Sequence, residues 1–380
     1  MILAPGVFIA GVVIFLIVVW DAFEAIILPR RVTRKFRLTR FYFKFTWSTW
    51  KIYAGLIPSK KRRDSFLGFY GPISLLFLIA VWATGLILSF AMMQYGAGSA
   101  LNLSGGIPRF NTDLYLSGTT FFTLGLGDVV PRSGVSRFLV VVESGFGFGF
   151  LAAVIGYLPF IYGSFADRET EIVLLDARAG TPPTGGELLL RHTFSGGHEE
   201  LRKLFKDWER WSAQVLESHL SYPVLAYFRS QHDNQSWISS LTAILDACAL
   251  TISGMEDVCA RQAQLTFAIA RHAVVDLCQV FSVAPLPPNK DRLPPEVLQL
   301  IRETLAKHGT QLSTTPAALQ KLTELRNLYE PYLFGLAEHF NQLMPGFIPA
   351  KNSKDNWQTT AWAKTTAGTA AAALIHDDHF

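Results

Sequence analysis

Charged residues are scarce in this chain: they make up 17% of its 380 residues, against about 25% in ordinary soluble proteins. The scarcity is uneven. Apolar residues crowd into 1–165, and 166–380 reads as ordinary soluble protein, so a membrane unit followed by a soluble unit is expected. Cysteine is almost missing. Cys248, Cys259 and Cys278 are the only three and have no CxxC spacing, which argues against disulfides or zinc and for reduced core thiols in a cytosolic domain. The net charge of +4 is too small to argue for a nucleic-acid partner. No Gly-x-Gly-x-x-Gly loop follows a strand, and no nucleotide-binding domain is expected. The histidines, among them His192, His198, His219, His232, His272, His308 and His339, are not at metal-ligand spacings. With no nucleophile–base constellation either, an enzyme is not expected.

One absence is local and sets orientation. Between Arg30 and Arg63 there are twelve Lys or Arg residues and no Asp or Glu. Positive loops stay in the cytoplasm. Three apolar runs surround this segment: Ile2 to about Leu28, broken by Asp21 and Glu24; Ile73 to Met93, with Pro72 in its first turn; and Val135 to about Phe165, with Glu143 inside. About 20 apolar residues cross a bilayer, so three spans are expected. The first run has no basic n-region and no small-residue cleavage site, and it reads as a retained helix. The N-terminus is then outside, the loop 94–134 is external, and 166–380 is cytoplasmic. The aromatic stretch 41–57, "FYFKFTWSTWKIYAGLI", competes as a further span. Lys44 and Lys51 fit an interfacial helix better. Arg31, Arg34, Arg37 and Arg40 recur every third residue like a voltage sensor, yet no hydrophobic helix carries them. A basic face on anionic headgroups is the preferred reading.

Between the second and third runs lies "TTFFTLGLGDVVP", residues 119–131. Glycines one residue apart suit a tight turn, a phosphate loop or an ion filter. Asn111 or Thr112 can cap a short helix, and "TDLYLSGTTFF" can dip into the membrane before "TLGLGD" returns. Irregular backbone at membrane depth is tolerated only when buried in protein or lining a polar cavity. A span, a re-entrant loop and a span build a pore.

On these residues the chain resembles the potassium-channel filter signature, TVGYG followed by Asp. The flanks agree: Tyr115, Leu116 and Ser117 look like the aromatic-rich pore helix, Pro131 follows, and a glycine-rich helix comes next. The resemblance covers about residues 70–165 and is to the bacterial two-transmembrane-pore potassium channels. It implies that the carbonyls of Thr123, Leu124, Gly125 and Leu126 line the axis and replace the water of a potassium ion. Gly125 and Gly127 would permit the alternation of backbone handedness, Thr123 Oγ1 would supply the innermost site, and Asp128 would brace the outer mouth. One filter per chain implies a cyclic homotetramer. Two departures stand out. Leu126 replaces a tyrosine whose hydrogen bond helps hold the filter's diameter, as in some two-pore-domain channels with Gly-Leu-Gly, which implies softer selectivity. Phe122 and Thr119 also differ from common family residues.

The third run carries Gly145, Gly147, Gly149 and Gly156. Small residues let helices pack in lipid, and glycine also permits bending. Gly147 or Gly149 lies where the family has its gating hinge, with Gly147 preferred, and Pro159 offers a second kink. Glu143 is expected to make a structural hydrogen bond to the pore helix. Asp167 and Glu169, with Glu171, are candidate acids at the inner mouth, or else a solvated helix end.

Past the membrane, "AGTPPTGGE" (179–187) reads as a linker. "HEELRKLFKDWERWSAQVLESHL" (198–220) puts Leu201, Leu204, Phe205, Trp208, Trp211 and Val215 on one helix face. Further helices are expected over Ser236–Thr251, Met255–Phe281, Pro294–His308 and Pro316–Leu343. "SYPVLAYFRSQ" beside His219 is read as core packing. His376 and His379 in the tail could bind metal adventitiously. The expected fold is an α-helical membrane protein with a re-entrant pore loop between two spans, one additional N-terminal span and a mostly α-helical cytoplasmic domain. Its plan is an N-terminal transmembrane helix (1–29), a basic cytoplasmic or interfacial segment (30–70), a pore domain (71–165), a linker (166–197), a helical cytoplasmic domain (198–345) and a flexible tail (346–380). Within the pore domain the outer helix is 71–94, the pore helix 111–122, the filter 123–128 and the inner helix 135–165. The expected function is a tetrameric potassium-selective channel gated through its cytoplasmic domain by an unknown cytoplasmic ligand, in a bacterial inner membrane. No cofactor is expected beyond the permeant potassium. The alternatives are a weakly selective monovalent cation channel and a non-conducting membrane-anchored signalling or scaffold protein.

Overall fold

The computed structural model describes residues 4–28, 37–103, 109–232, 234–255, 259–288 and 290–350. Arg31, Arg34, His376 and His379 lie outside the described residues. The chain divides into two compact units. Unit 1 holds the described residues up to Ala166 together with Ser218–Arg229, and unit 2 holds Asp167–Glu217 and the described residues from Ser230 onward.

Unit 1 is built on α1 (Pro5–Ala22), which runs into a π-helical turn, Phe23–Ile27. Then come α2 (Leu38–Gly55), α3 (Lys60–Gly68) and α4 (Tyr70–Gly96). After β1 (Leu101–Leu103), the short helix α5 (Phe110–Phe121) and β2 (Val129–Pro131), the long helix α6 starts and runs Gly134–Ala179. Phe90, Met93 and Leu139 form a buried cluster joined by Phe8, Val12, Phe15 and Val142. Gln94 and Ser136, both buried, exchange two hydrogen bonds at 2.6 and 3.1 Å and fasten α4 to α6.

The acids that interrupt the first apolar run are both paired. The Asp21 carboxylate accepts the Thr39 amide at 3.1 Å, the Thr39 hydroxyl at 2.5 Å and the Trp82 indole N–H at 2.9 Å. It therefore holds an otherwise unpaired amide in the first turn of α2 and ties α2 to α4. Glu24 accepts from Trp20 at 2.7 Å and lies 3.3 Å from the Arg37 guanidinium. α2 buries Phe43, Trp47 and Ala54 and exposes Phe41, Lys44, Phe45, Ile52 and Tyr53, the two-sided pattern of an interfacial helix.

Unit 2 continues with α7 (Gly185–Leu190), α8 (Gly197–Ser221), whose last turn lies in unit 1, α9 (Trp237–Gly254), α10 (Ala260–Phe281), α11 (Pro295–Lys307), α12 (Pro316–Asn327) and α13 (Glu330–Phe340). The α8 face of Leu201, Leu204, Phe205, Trp208, Trp211 and Val215 is buried throughout. The stretch expected as one helix over 316–343 is two. Pro331 sits in the first turn of α13, and a proline disfavours helix at the residue before it. Asp246 on α9 pairs with Arg292 at 2.5 Å and accepts the Tyr329 hydroxyl, and Arg292 also pairs with Glu330 at 2.9 Å.

Four helical stretches are long and apolar enough to cross a membrane: Pro5–Ile27, Lys60–Gly96, Gly134–Ala179 and Trp237–Gly254. The last differs in kind. It is 89% buried within the chain, against 17% for the first and third, and α7, α10, α12 and α13 pack around it. Its apolarity serves the core of unit 2. The chain is thus mostly α-helical, with the helices of a multi-span membrane protein.

Candidate functional site

α5 is a short helix held at both ends between α4 and α6. The Ser117 hydroxyl at its middle lies within hydrogen-bond reach of both the Ile87 carbonyl of α4, at 2.7 Å, and the Glu143 carboxyl group of α6. Ser117 and Glu143 are fully buried, so the acid expected to bond this helix does so. Near the start of α5, Asp113 accepts the Ser99 hydroxyl at 2.6 Å. At its end the α6 backbone comes very close: a Cβ on Gly147 would lie 2.1 Å from the Phe121 carbonyl oxygen. Only a glycine allows that approach. Gly147, expected from the sequence as the gating hinge, lies within α6, where this contact gives it a packing task. Gly149, two residues on, meets nothing within 4 Å.

The chain then turns off the helix through bonds from the Thr123 amide to the Thr120 carbonyl, 3.0 Å, and from the Leu124 amide to the Thr119 carbonyl, 2.7 Å. Thr123, Gly125 and Gly127 have φ of +57°, +54° and +80°. Leu124 and Leu126 do not have positive φ. The backbone therefore alternates in handedness residue by residue, and its carbonyls cannot form a strand or helix ladder. For glycine this conformation is free of steric strain. Phe122 to Asp128 are all exposed; Leu124 is 61% and Leu126 64% exposed.

Two fastenings close the loop. The Tyr115 hydroxyl of α5 donates to Asp128 Oδ2 at 2.9 Å. β2 pairs antiparallel with β1 in the register Leu101↔Pro131, Asn102↔Val130 and Leu103↔Val129. The Arg132 amide adds a bond to the Ala100 carbonyl at 2.8 Å. Beneath them Leu101, Leu116 and Val129 make a buried cluster with Val140. Sequence reasoning missed Tyr115 as the partner of Asp128 and Ser117 as the partner of Glu143. A tyrosine and a serine within a short helix carry no signal of the loop they serve.

The acids considered for the inner mouth separate. Asp167 is exposed, while Glu169 is taken up by the buried Arg168 at 2.9 Å. The Arg168 carbonyl in turn accepts the Trp211 indole N–H at 3.1 Å. Among the described residues no group of three or more His, Cys, Asp or Glu side chains is placed to hold a metal ion.

No curated protein and no solved structure matches this chain. Residues 74–159, which contain most of α4, all of α5, the exposed loop and the first half of α6, match the family model described as "Ion channel". That stretch is similar to a non-catalytic ion-channel family, and it lies in a chain with the helices of a multi-span membrane protein.

Proposed function

We propose that the chain is one subunit of a homotetrameric potassium channel, with the Thr123, Leu124, Gly125 and Leu126 carbonyls as the ion's ligands, Gly127 completing the turn and Asp128 bracing the mouth. The observation that carries the reading is the left-handed backbone at Thr123, Gly125 and Gly127 in an exposed loop between two membrane-length helices. Carbonyls freed from regular ladders need partners in a bilayer, and a ring of them around a dehydrated cation supplies those partners. A single copy leaves the loop uncovered. The apolar side chains of Phe138, Val141, Phe148, Leu151 and Ile155 on α6, each more than half exposed, support a closed ring of copies. α5 points its C-terminal, partially negative end at the loop and favours a cation there. The basic segment supports an outside N-terminus and cytoplasmic unit 2, in a cell inner membrane, with unit 2 as the site of an unidentified gating ligand.

A second reading has its own observation. Leu126 stands where an aromatic donor would brace the loop, and it is 64% exposed. A leucine donates no hydrogen bond, which supports a weakly selective cation pore on the same scaffold. Purified protein in liposomes decides. Reversal potentials in opposed potassium and sodium gradients near the potassium equilibrium value are expected on the first reading and near zero on the second. No flux under any condition overturns both. On the second reading Leu126→Tyr sharpens selectivity; an unchanged nonselective pore would show that this side chain is not the cause.

A further inference from the structure

Unit 1 is completed by a segment from far along the chain. Ser218–Arg229 follows most of α8, belongs to unit 1, and leads back into unit 2. Its 3-10 turn, Pro223–Tyr227, and Phe228 bury Val224, Leu225, Ala226, Tyr227 and Phe228. One side of the segment rests on α2, α3 and α4. Tyr227 stacks on Phe43 with centroids 5.4 Å apart and planes 10° apart, and meets Trp47 at 5.3 Å and Tyr70 at 5.2 Å. Phe228 lies over Gly71, where a Cβ would come within 2.8 Å of its ring. Arg229 pairs with Asp64 at 3.3 Å.

The other side rests on α6 between Tyr157 and Phe165. Tyr222 meets Tyr157 at 5.7 Å and Phe160 at 4.9 Å, and Phe228 meets Tyr162 at 5.9 Å and Phe165 at 5.5 Å. The two sides are unequal. Phe43, Trp47 and Tyr70 are all buried, and α2 is itself pinned by Asp21, whereas on α6 Tyr157 is buried, Phe165 is half-buried, and Phe160 and Tyr162 are 52% and 48% exposed. A fully buried seat on one side and a partly exposed one on the other suits an element that holds α6 in one of two positions.

We propose that Ser218–Arg229 is a strap that sets the position of the lower part of α6, and thereby the opening of the pore, with Tyr222 and Phe228 as positioning residues. The proposal rests on the channel reading. Displacement of unit 2 pulls on the strap through its two covalent ends, and the contacts made to α6 in one position and lost in the other supply the coupling free energy. Such couplings shift an equilibrium by about 5- to 150-fold.

The test uses the full chain in phosphatidylethanolamine–phosphatidylglycerol bilayers. Tyr222→Ala and Phe228→Ala each shift open probability by about fivefold or more, in the same direction, with unitary conductance and reversal potential unchanged. Amide exchange over residues 157–166, which needs no current, quickens in both. Tyr222 is only half-buried, so its variant folds even if Phe228→Ala does not, and Phe228→Leu restores the wild-type values. Unchanged exchange, or faster exchange with unchanged open probability, overturns the strap. A wild type that never conducts, with exchange still quickened in the variants, sinks the channel reading and leaves the clamp on α6 standing.

Discussion

At Gly147 a single hydrogen in place of a side chain decides whether α5 and α6 can meet. The atom that a methyl would strike is a backbone oxygen, 2.1 Å away, and backbone cannot swing aside. Gly147→Ala is expected to destabilise the protein by about 1–3 kcal/mol, read as a lower melting temperature of the purified chain. An unchanged melting temperature would mean that this contact is loose. Gly149→Ala adds helix propensity where nothing lies within 4 Å. It therefore tests bending of α6 without disturbing the contact, and a hinge at this level predicts altered gating with stability retained. The two substitutions, two residues apart in the same helix, separate packing from motion.

Among the elements, α2 depends on a carboxylate that is not its own. Asp21 receives three donors from α2 and α4, and bonds to a charged group contribute about 1.5–3 kcal/mol each. Asp21→Ala is expected to loosen the first turn of α2, with faster amide exchange over 38–42. Asp21→Asn, which keeps one acceptor oxygen, falls between the two. Equal exchange in all three proteins would remove Asp21 as the anchor. The sequence shows where such an acid is, because Asp21 breaks an apolar run, but not which donors it meets. The same limit runs through the fold. Helices with a repeating face are legible: Leu201 to Val215 on α8 recur at helical spacing and are all buried. The glycine pair and Asp128 mark the loop because its unusual backbone demands unusual residues. Ser117 with Glu143 and Tyr115 with Asp128 are single contacts across 26 and 13 residues, and a single contact leaves no period to read. The return of Ser218–Arg229 to unit 1 is hidden for the same reason. Its apolar residues announce burial, and nothing in their spacing names the partner.

For the whole molecule, acid and thiol chemistry offer readouts independent of conduction. His192 is buried, with Nδ1 at 2.7 Å from the Leu188 carbonyl. Burial, ahead of repulsion from Arg178, holds its pKa below the ordinary 6.5. The unfolded state then binds the extra proton first, so this residue's contribution is intact above about pH 6.5 and declines as pH falls toward the lowered folded value. The melting temperature of unit 2 is expected to drop over that window, and His192→Gln to flatten the dependence; an identical slope in the variant would acquit the histidine. Burial also pushes the Cys259 thiol up to about 11 and Cys278 up to about 12. Because the thiolate is the reactive form, maleimide labelling at neutral pH is expected to be slow until the chain is unfolded; rapid labelling of the native protein would contradict it. A practical warning follows from the place of Tyr227. A fragment cut after Ala166, the obvious way to isolate the membrane portion, would strip the rings from above Phe43, Trp47 and Tyr70. What looks like a removable appendage supplies part of the membrane portion's own interior, and such a truncation is expected to aggregate rather than to report on an autonomous pore.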